Sequence, residues 1–463
     1  MNTFKHIFAL FIFFSLGAFV FVADSQGASI ASATCSYVDV STAVTSASVG
    51  DTINVPAGAC TWSSTLIINK GISLIGAGVG NTIITSNASL LIDYEASNPA
   101  TNALFRVSGF TFDFGAGLRN GISLYAGNTL VLQTKVRIDN NRFQNIAQNS
   151  TQVMYIKLGK VRGVIDHNYF TAATYFSRSN GDGNDYGVSL WNNWEGVVFG
   201  KVDNNMWFED NIINVQNGGV IDCSQGSRYA FRYNTINTNG GGQMFDQHGN
   251  WGDGYSCFGG ELYGNNIVAT SRGQFLDQRG GRFFVFFNNF NTSGWNIDVR
   301  EEADDAGNPV NYVGPNPPQY PQHVNGTYIW GNRANLTGAL VSTGKGSNCV
   351  GTVCYSTPMP VGGQDFFTES TSPGIGCGLP ASRPSSCTTN QGYWATNQSC
   401  TNLTGMVGLN PANPISGTLY RCTTANTWDT GASPLPYPHP LIEESTGSLT
   451  LTPPILKAPI LIP

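Results

Sequence analysis

Charge is what this chain has least of. Only 11% of its 463 residues are Asp, Glu, Lys or Arg, against about 25% in an average soluble domain. The 23 Lys and Arg stand against 29 Asp and Glu, a net charge of −6. No basic stretch stands out, so a nucleic-acid partner, which would need a basic patch, is excluded. The helix-favouring Ala/Glu/Lys/Leu bias of coiled coils and helical arrays is missing as well. Long apolar runs are scarce: one, from Ile7 to Val22, and no later stretch could cross a membrane. Zinc-type CxxC pairs with a nearby His are lacking too, so the thiols are not read as metal ligands.

What is present is glycine (55 residues), asparagine, and an aromatic content of 12% that a disordered chain would not carry. The apolar run follows Lys5 and is followed by small residues, with Ala31-Ser32-Ala33 as a cleavage site. Residues 1–33 therefore read as a secretory signal peptide. Their removal leaves about 430 residues and an unchanged net charge, because Lys5 and Asp24 leave together. The expected location is secreted, either extracellular, on the cell surface or periplasmic, and the expected state is a monomer. All ten cysteines lie after the leader, so disulfides are the natural reading. Proximity in sequence pairs Cys35–Cys60, Cys223–Cys257, Cys349–Cys354, Cys377–Cys387 and Cys400–Cys422.

A repeat decides the architecture. An apolar residue, Asn three later and an apolar residue two after that recur at Ile138/Asn141/Phe143, Ile165/Asn168/Phe170, Phe208/Asn211/Ile213, Phe231/Asn234/Ile236, Leu262/Asn265/Ile267 and Val285/Asn288/Phe290. A weaker copy follows at Ile329/Asn332/Ala334. The Asn intervals are 27, 43, 23, 31, 23 and 44. The short ones have the period of a solenoid, and the long ones are one turn plus an insert. Strands such as VRIDNNRF and YAFRYNTI alternate apolar with polar. Asn at the corner suits a left-handed backbone and can bond from coil to coil. A β-sandwich, the alternative, would show hairpin dipeptides and no repeating Asn.

Residues 35–76, with GDTINVPAG followed by apolar alternation and GISLIGAG, resemble the N-terminal cap and first coil of right-handed parallel β-helix proteins of the pectate-lyase-like superfamily. VSGFTFDF at 107–114 resembles the next coil, and GYWATNQSC at 392–400 and PLPYPHPLI at 434–442 resemble terminal segments of exported bacterial members. The resemblance implies an all-β fold, a right-handed parallel β-helix. Residues 34–345 would form the solenoid, 346–442 a Cys-rich, disulfide-tied C-terminal cap, and 443–463 a Pro/Thr-rich tail. For activity it implies less, because the superfamily holds lyases, hydrolases, epimerases and non-catalytic surface proteins.

Aligning coils on the corner Asn and reading 10–12 residues onward brings Asp222, Asp246, Asp277 and Asp298 to one position. Two residues later stand Ser224, His248, Arg279 and Arg300. Residues two apart on a strand share a face. The expectation is an outward row of carboxylates beside a row of cations, with coils about 4.8 Å apart. Two readings stay open. The charges pair with one another on a solvated face, or they form a glycan groove. A uronate lyase must neutralise the sugar carboxylate, remove the C5 proton and assist the leaving group; Arg, His and Ca²⁺ suit those tasks. Candidate catalytic residues are therefore His248, Arg279, Asp277, Asp246 and Arg300. Asp222, Asp298, Trp251 and Trp295 are candidate substrate contacts, and Ca²⁺ at Asp246 and Asp277 is the candidate cofactor. A hydrolase needs two carboxyl groups at a spacing this row would also supply. VIDHNYF at 164–170 resembles the IDH segment of pectate lyases, but their RxPxxR segment and the polygalacturonase NTD and RIK segments are missing. The functional expectation is an exported polysaccharide lyase acting on an acidic polysaccharide, less readily a hydrolase. The competing reading is a non-catalytic surface or matrix glycan-binding protein.

Overall fold

The repeated apolar-x-x-Asn unit makes one turn of a parallel solenoid. The computed structural model describes residues 27–95, 102–115, 120–125, 132–146, 154–157, 161–172, 177–180, 199–215, 219–224, 227–240, 242–249, 256–301, 324–345, 349–350, 353–354 and 360–444. Three parallel sheets of 12, 10 and 10 strands run the length of a β-helix, each coil giving one strand to each sheet. In the coil around Asn234, Arg228–Arg232 belongs to the first sheet, Thr235–Thr238 to the second and Gln243–Gln247 to the third. Every second side chain points inward. In the first sheet Ile165, Phe208, Phe231, Leu262 and Val285 stack in register and are fully buried. In the second, Phe112, Phe143 and Phe170 pile ring upon ring, 5.2 and 4.7 Å between centroids.

The seven Asn residues form one continuous buried ladder. Each Oδ1 from Asn168 to Asn332 accepts the backbone N–H and the Nδ2–H of the Asn one coil earlier, at 2.8–3.2 Å. Each Nδ2 also donates to the carbonyl of the preceding coil's apolar residue, as Asn234 does to Phe208 O at 3.0 Å. Polar groups inside a corner are thereby satisfied, which is what makes their burial tolerable. The left-handed residue is not the ladder Asn, as the sequence suggested, but the one before it. Asn140, His167, Asp210, Tyr233 and Phe287 have φ of 52–57°. Gly264 and Gly331 take the same place in the other coils, at φ 68° and 63°. Glycine is required there by space as well, because a Cβ at Gly331 would meet the Phe287 ring at 2.2 Å.

The N-terminal end is closed by an α-helix, Tyr37–Ser46, whose first turn is capped by Ser36 accepting from Asp39 N. Its buried face is Val40, Ala43 and Val44, and Cys35–Cys60 ties it to the first coil. Ahead of it, Ser29–Ala31 pairs in parallel with Thr52–Asn54 of the first sheet. That strand lies within the segment assigned to the leader, and a cut after Ala33 would remove it. The apolar run itself lies outside the described residues.

The C-terminal region does more than close the far end. Phe366–Thr368 adds the last strand to the first sheet, and a four-stranded sheet follows. The chain then runs back along the outer face of the first sheet as far as Arg137, whose Nη1 donates to Leu441 O at 3.2 Å. This makes a second apolar core outside the solenoid. Trp207, Phe284, Phe286 and Trp330 of the sheet pack there against Trp394, Leu403 and Leu419. Within the region the cysteines bond as Cys377–Cys400 and Cys387–Cys422, not as Cys377–Cys387 and Cys400–Cys422. Short loops favour neighbours in the unfolded chain, but strand pairing overrides this. Asn390 N donates to Cys422 O at 2.7 Å, carrying the Cys387 loop to the strand Thr418–Thr424. Cys35–Cys60 and Cys223–Cys257 are bonded as expected. Cys349 and Cys354 face each other in a two-stranded antiparallel ribbon, and their side chains lie outside the described ones.

Candidate functional site

The third sheet sets Asp222, Asp246, Asp277 and Asp298 in direct register on four successive strands. Their inward neighbours Ile221, Phe245, Leu276 and Ile297 are fully buried, so strand parity sends the carboxylates outward. The cation column continues one step beyond each strand. His248, Arg279 and Arg300 donate their backbone N–H groups to the carbonyls of Cys223, Gln247 and Gln278 of the previous coil at 2.8–2.9 Å.

The two columns interlock. His248 Nε2 lies 3.2 Å from Asp222 Oδ1 and 3.6 Å from Asp246 Oδ2. The Arg279 Nη2 group binds Asp246 Oδ1 and stands 3.4 Å from His248 Nε2. Its Nε lies 3.4 Å from Asp277 Oδ2. Arg300 grips Asp277 with two donors, Nε at 2.7 Å from Oδ1 and Nη2 on Oδ2. Gln243 Nε2 adds a bond to Asp277 Oδ2 at 2.5 Å, and Gln274 and Asn296 hold Asp298 Oδ2 at 2.7 and 2.9 Å. Burial raises the Asp246 carboxyl above the usual range; Arg279 and His248 pull it down, while Asp277 and Asp222 push it up. Asp298 is raised as well, chiefly by burial.

The candidate residues are thus brought together but play unequal parts. Asp277 is fully buried under Arg279 and Arg300, which leaves it positioning guanidinium groups and not meeting a ligand. Asp222, His248, Arg279 and Arg300 remain 11–25% exposed. The Cys223–Cys257 bond sits beside them. Cys223 O accepts from His248 N and Cys257 N donates to His248 O, at 2.9 and 2.8 Å, so the bond fixes the histidine backbone from both sides. Trp295 is not a groove platform. It lies inside the solenoid, 1% exposed, against Phe290 at 5.7 Å, because it shares strand parity with the inward Ile297. Trp251 lies outside the described residues.

Asp246 and Asp277 do not form the pair expected for Ca²⁺, since both oxygens of Asp277 are taken by Arg300 and Gln243. Among the described residues the group that could hold a metal is Asp222, Asp246 and His248, with ligand atoms within 4.8 Å of one another. An imidazole plus a carboxylate already bound to Arg279 is a poor match for an ion that takes 6–8 oxygens.

A second charged cluster, missed by reading onward from the corner Asn, lies on the outer face of the first sheet. Reading two residues back from the ladder Asn gives Asp139, Asp166, Glu209, Arg232 and Tyr263 in register, and the last two coils continue the row with Phe286 and Trp330. Arg137 grips Asp166 at 2.9 and 2.8 Å, and His167 Nδ1 lies 2.9 Å from the same carboxylate. The Asp166-His167 pair is therefore part of this cluster and not of the third-sheet row. Arg232, fully buried, binds Glu209 Oε2 at 2.7 Å and donates to the carbonyls of Leu435 and Pro436. Glu209 Oε1 accepts from His439 N at 3.1 Å, and Asp210 from Tyr437 at 2.7 Å. Burial lifts Glu261 to about 7, against its bonds from Gly200 N and Asn205. Burial drives His439 down to about 3, assisted by Arg232 and Arg137. Desolvation would lower His167 too, but the bond and charge of Asp166 outweigh it and lift the ring to about 9.

No protein-family model, no curated protein and no solved structure matches the chain, so its coils and its site stand on their own geometry.

Proposed function

We propose that this is an exported β-helix protein that engages an acidic polysaccharide along the outer face of the third sheet and cleaves it by β-elimination. The observation that carries the reading is the in-register row itself. His248 is held between Asp222 and Asp246, beside two partly exposed guanidinium groups. In such a reaction Arg279 and Arg300 would pair with the uronate carboxylate and acidify the C5 proton. His248 would accept that proton. The C4–O bond would break as the C4=C5 double bond forms, and the departing oxygen would take a proton. Export is supported by the leader-like N-terminus and by four described disulfides. Among the described residues no helix is long and apolar enough to cross a membrane.

A non-catalytic glycan-binding role is favoured by one feature: both guanidinium groups already carry a carboxylate partner. One experiment separates the two. The mature protein is incubated with pectate, alginate and glycosaminoglycans, and unsaturated uronyl ends and new reducing ends are assayed. Unsaturated product that disappears in His248→Gln supports the lyase. Binding without product in either assay supports the second reading. New reducing ends without unsaturation would indicate a hydrolase.

A further inference from the structure

The first described residues, 27–32, are already built into the solenoid, although they fall inside the segment read as the leader. Ser29–Ala31 is the outermost strand of the twelve-stranded sheet, in parallel register with Thr52–Asn54. The contacts run beyond the strand at both ends. Thr52 N donates to Ala28 O at 2.8 Å, and Ser32 N to Asn54 O at 3.0 Å. Ala28 N donates to Asp51 Oδ1 at 2.7 Å, while Ser48 N holds the other oxygen at 2.7 Å. Asn54 Nδ2 donates to Ser29 Oγ at 2.8 Å. Ile30 packs against the solenoid core, and Ser32 is buried. Gly27 makes the closest approach: a Cβ there would stand 1.9 Å from Gly50 O and 2.6 Å from Asp51 N, so glycine alone fits.

A signal peptidase cuts after a small residue that has another small residue two places earlier. With Gly, Ala and Ser as the small residues, the stretch after the apolar run offers five such bonds, after Ser25, Gly27, Ser29, Ala31 and Ala33. The fold separates them. A cut after Ala31 or Ala33 removes the strand and opens the edge of Thr52–Val55, with its unpaired backbone groups. A cut after Ser29 removes the carbonyl of Ala28 that Thr52 N needs. A cut after Gly27 removes the residue seated on Gly50. A cut after Ser25 removes none of these contacts.

We infer that the leader is cut between Ser25 and Gln26, so that the exported chain begins with QGASIA and its first residues form the first strand of the solenoid. The bond itself lies outside the described residues. Its hydrolysis adds one water across the peptide bond and leaves Gln26 with a free amine. That amine can attack its own side-chain amide carbon. The Cδ–Nε2 bond then breaks, ammonia leaves and a lactam ring blocks the terminus. The inference rests on the exported reading and is independent of what the third-sheet face binds.

The test is to express the full chain with its own leader in an exporting host, and to measure the intact mass and N-terminal peptide of the exported protein. A chain running from Gln26 to Pro463, or the same chain less one ammonia, is expected. A start at Ala28, Ile30, Ser32 or Thr34 would overturn the inference and leave export standing. A chain that keeps Met1 and stays inside the cells would overturn both. Ser25→Leu puts a bulky residue directly before the cut, so the Gln26 start should be lost; a Gln26 start that persists in this variant would overturn the inference. A second measurement checks the structural premise. In chains produced to begin at Gln26 and at Thr34, the Thr52 amide should exchange with solvent at least about tenfold faster in the shorter one, which lacks its acceptor. The shorter chain should also unfold at a lower denaturant concentration. Equal exchange and equal midpoints would overturn the inference, because residues 26–33 would then contribute nothing to the mature fold.

Discussion

The outer faces of the first and third sheets are built alike and end differently. Both carry ionisable side chains at one strand position, coil after coil, in register. On the third sheet Asp222, His248, Arg279 and Arg300 keep 11–25% of their surface and share charge along a chain of ion pairs. On the first sheet the C-terminal segment lies over the row, and Glu209 and Arg232 have no exposed side-chain surface. A charged column in a solenoid is thus neither a site nor a core by itself. What folds back over it decides which, because the same carboxylate costs little at a wet surface and several kcal/mol in a dry one.

The largest effect expected from this contrast is at Arg232. Arg232→Ala leaves Glu209 buried without its cation and should cost about 3–5 kcal/mol in denaturant unfolding. A loss no greater than that of a surface pair would erase the distinction between the two faces. Next comes pH. Glu261 is lifted to about 7, so between its unfolded value near 4.5 and that pH the native state holds the extra proton. Its contribution is therefore full below about 4.5 and is lost as pH rises to about 7, worth up to about 3 kcal/mol. His439, lowered to about 3, acts oppositely: the native state refuses the proton, and stability falls as pH drops from about 6.5 toward 3. Unfolding free energy measured against pH should lose the first slope in Glu261→Gln and the second in His439→Gln. Parallel curves for all three proteins would mean the cover does not desolvate these groups.

Arg300→Gln should have a smaller effect, about 1–2 kcal/mol, because Asp277 keeps Arg279 and Gln243. His248→Gln should change stability least, by under about 1 kcal/mol, while removing any eliminase activity. A variant that lost activity only through unfolding would show it in its thermal midpoint.

Much of the third-sheet row could be read from sequence because register in a parallel solenoid is a local property. Once Asn234 and Asn265 mark the corners, Asp246 and Asp277 must fall at the same phase. The same rule, applied to Trp295 and Ile297, places the tryptophan inside. The first-sheet row was equally periodic, two residues before each ladder Asn from Asn141 to Asn265, but nothing near Glu209 in the chain announces that His439 will bind it, or that Leu435 and Pro436 will cover Arg232.

The scarcity of charge, the glycine and the recurring Asn were enough to specify stacked coils, since strand alternation and corner hydrogen bonding act over a few residues. Which charges stay wet, how the C-terminal cysteines pair and where a second core forms were decided only by tertiary structure. The covered charges and the second core rest on contacts between segments some 200 residues apart, as between Arg232 and Pro436, and no local pattern carries that information.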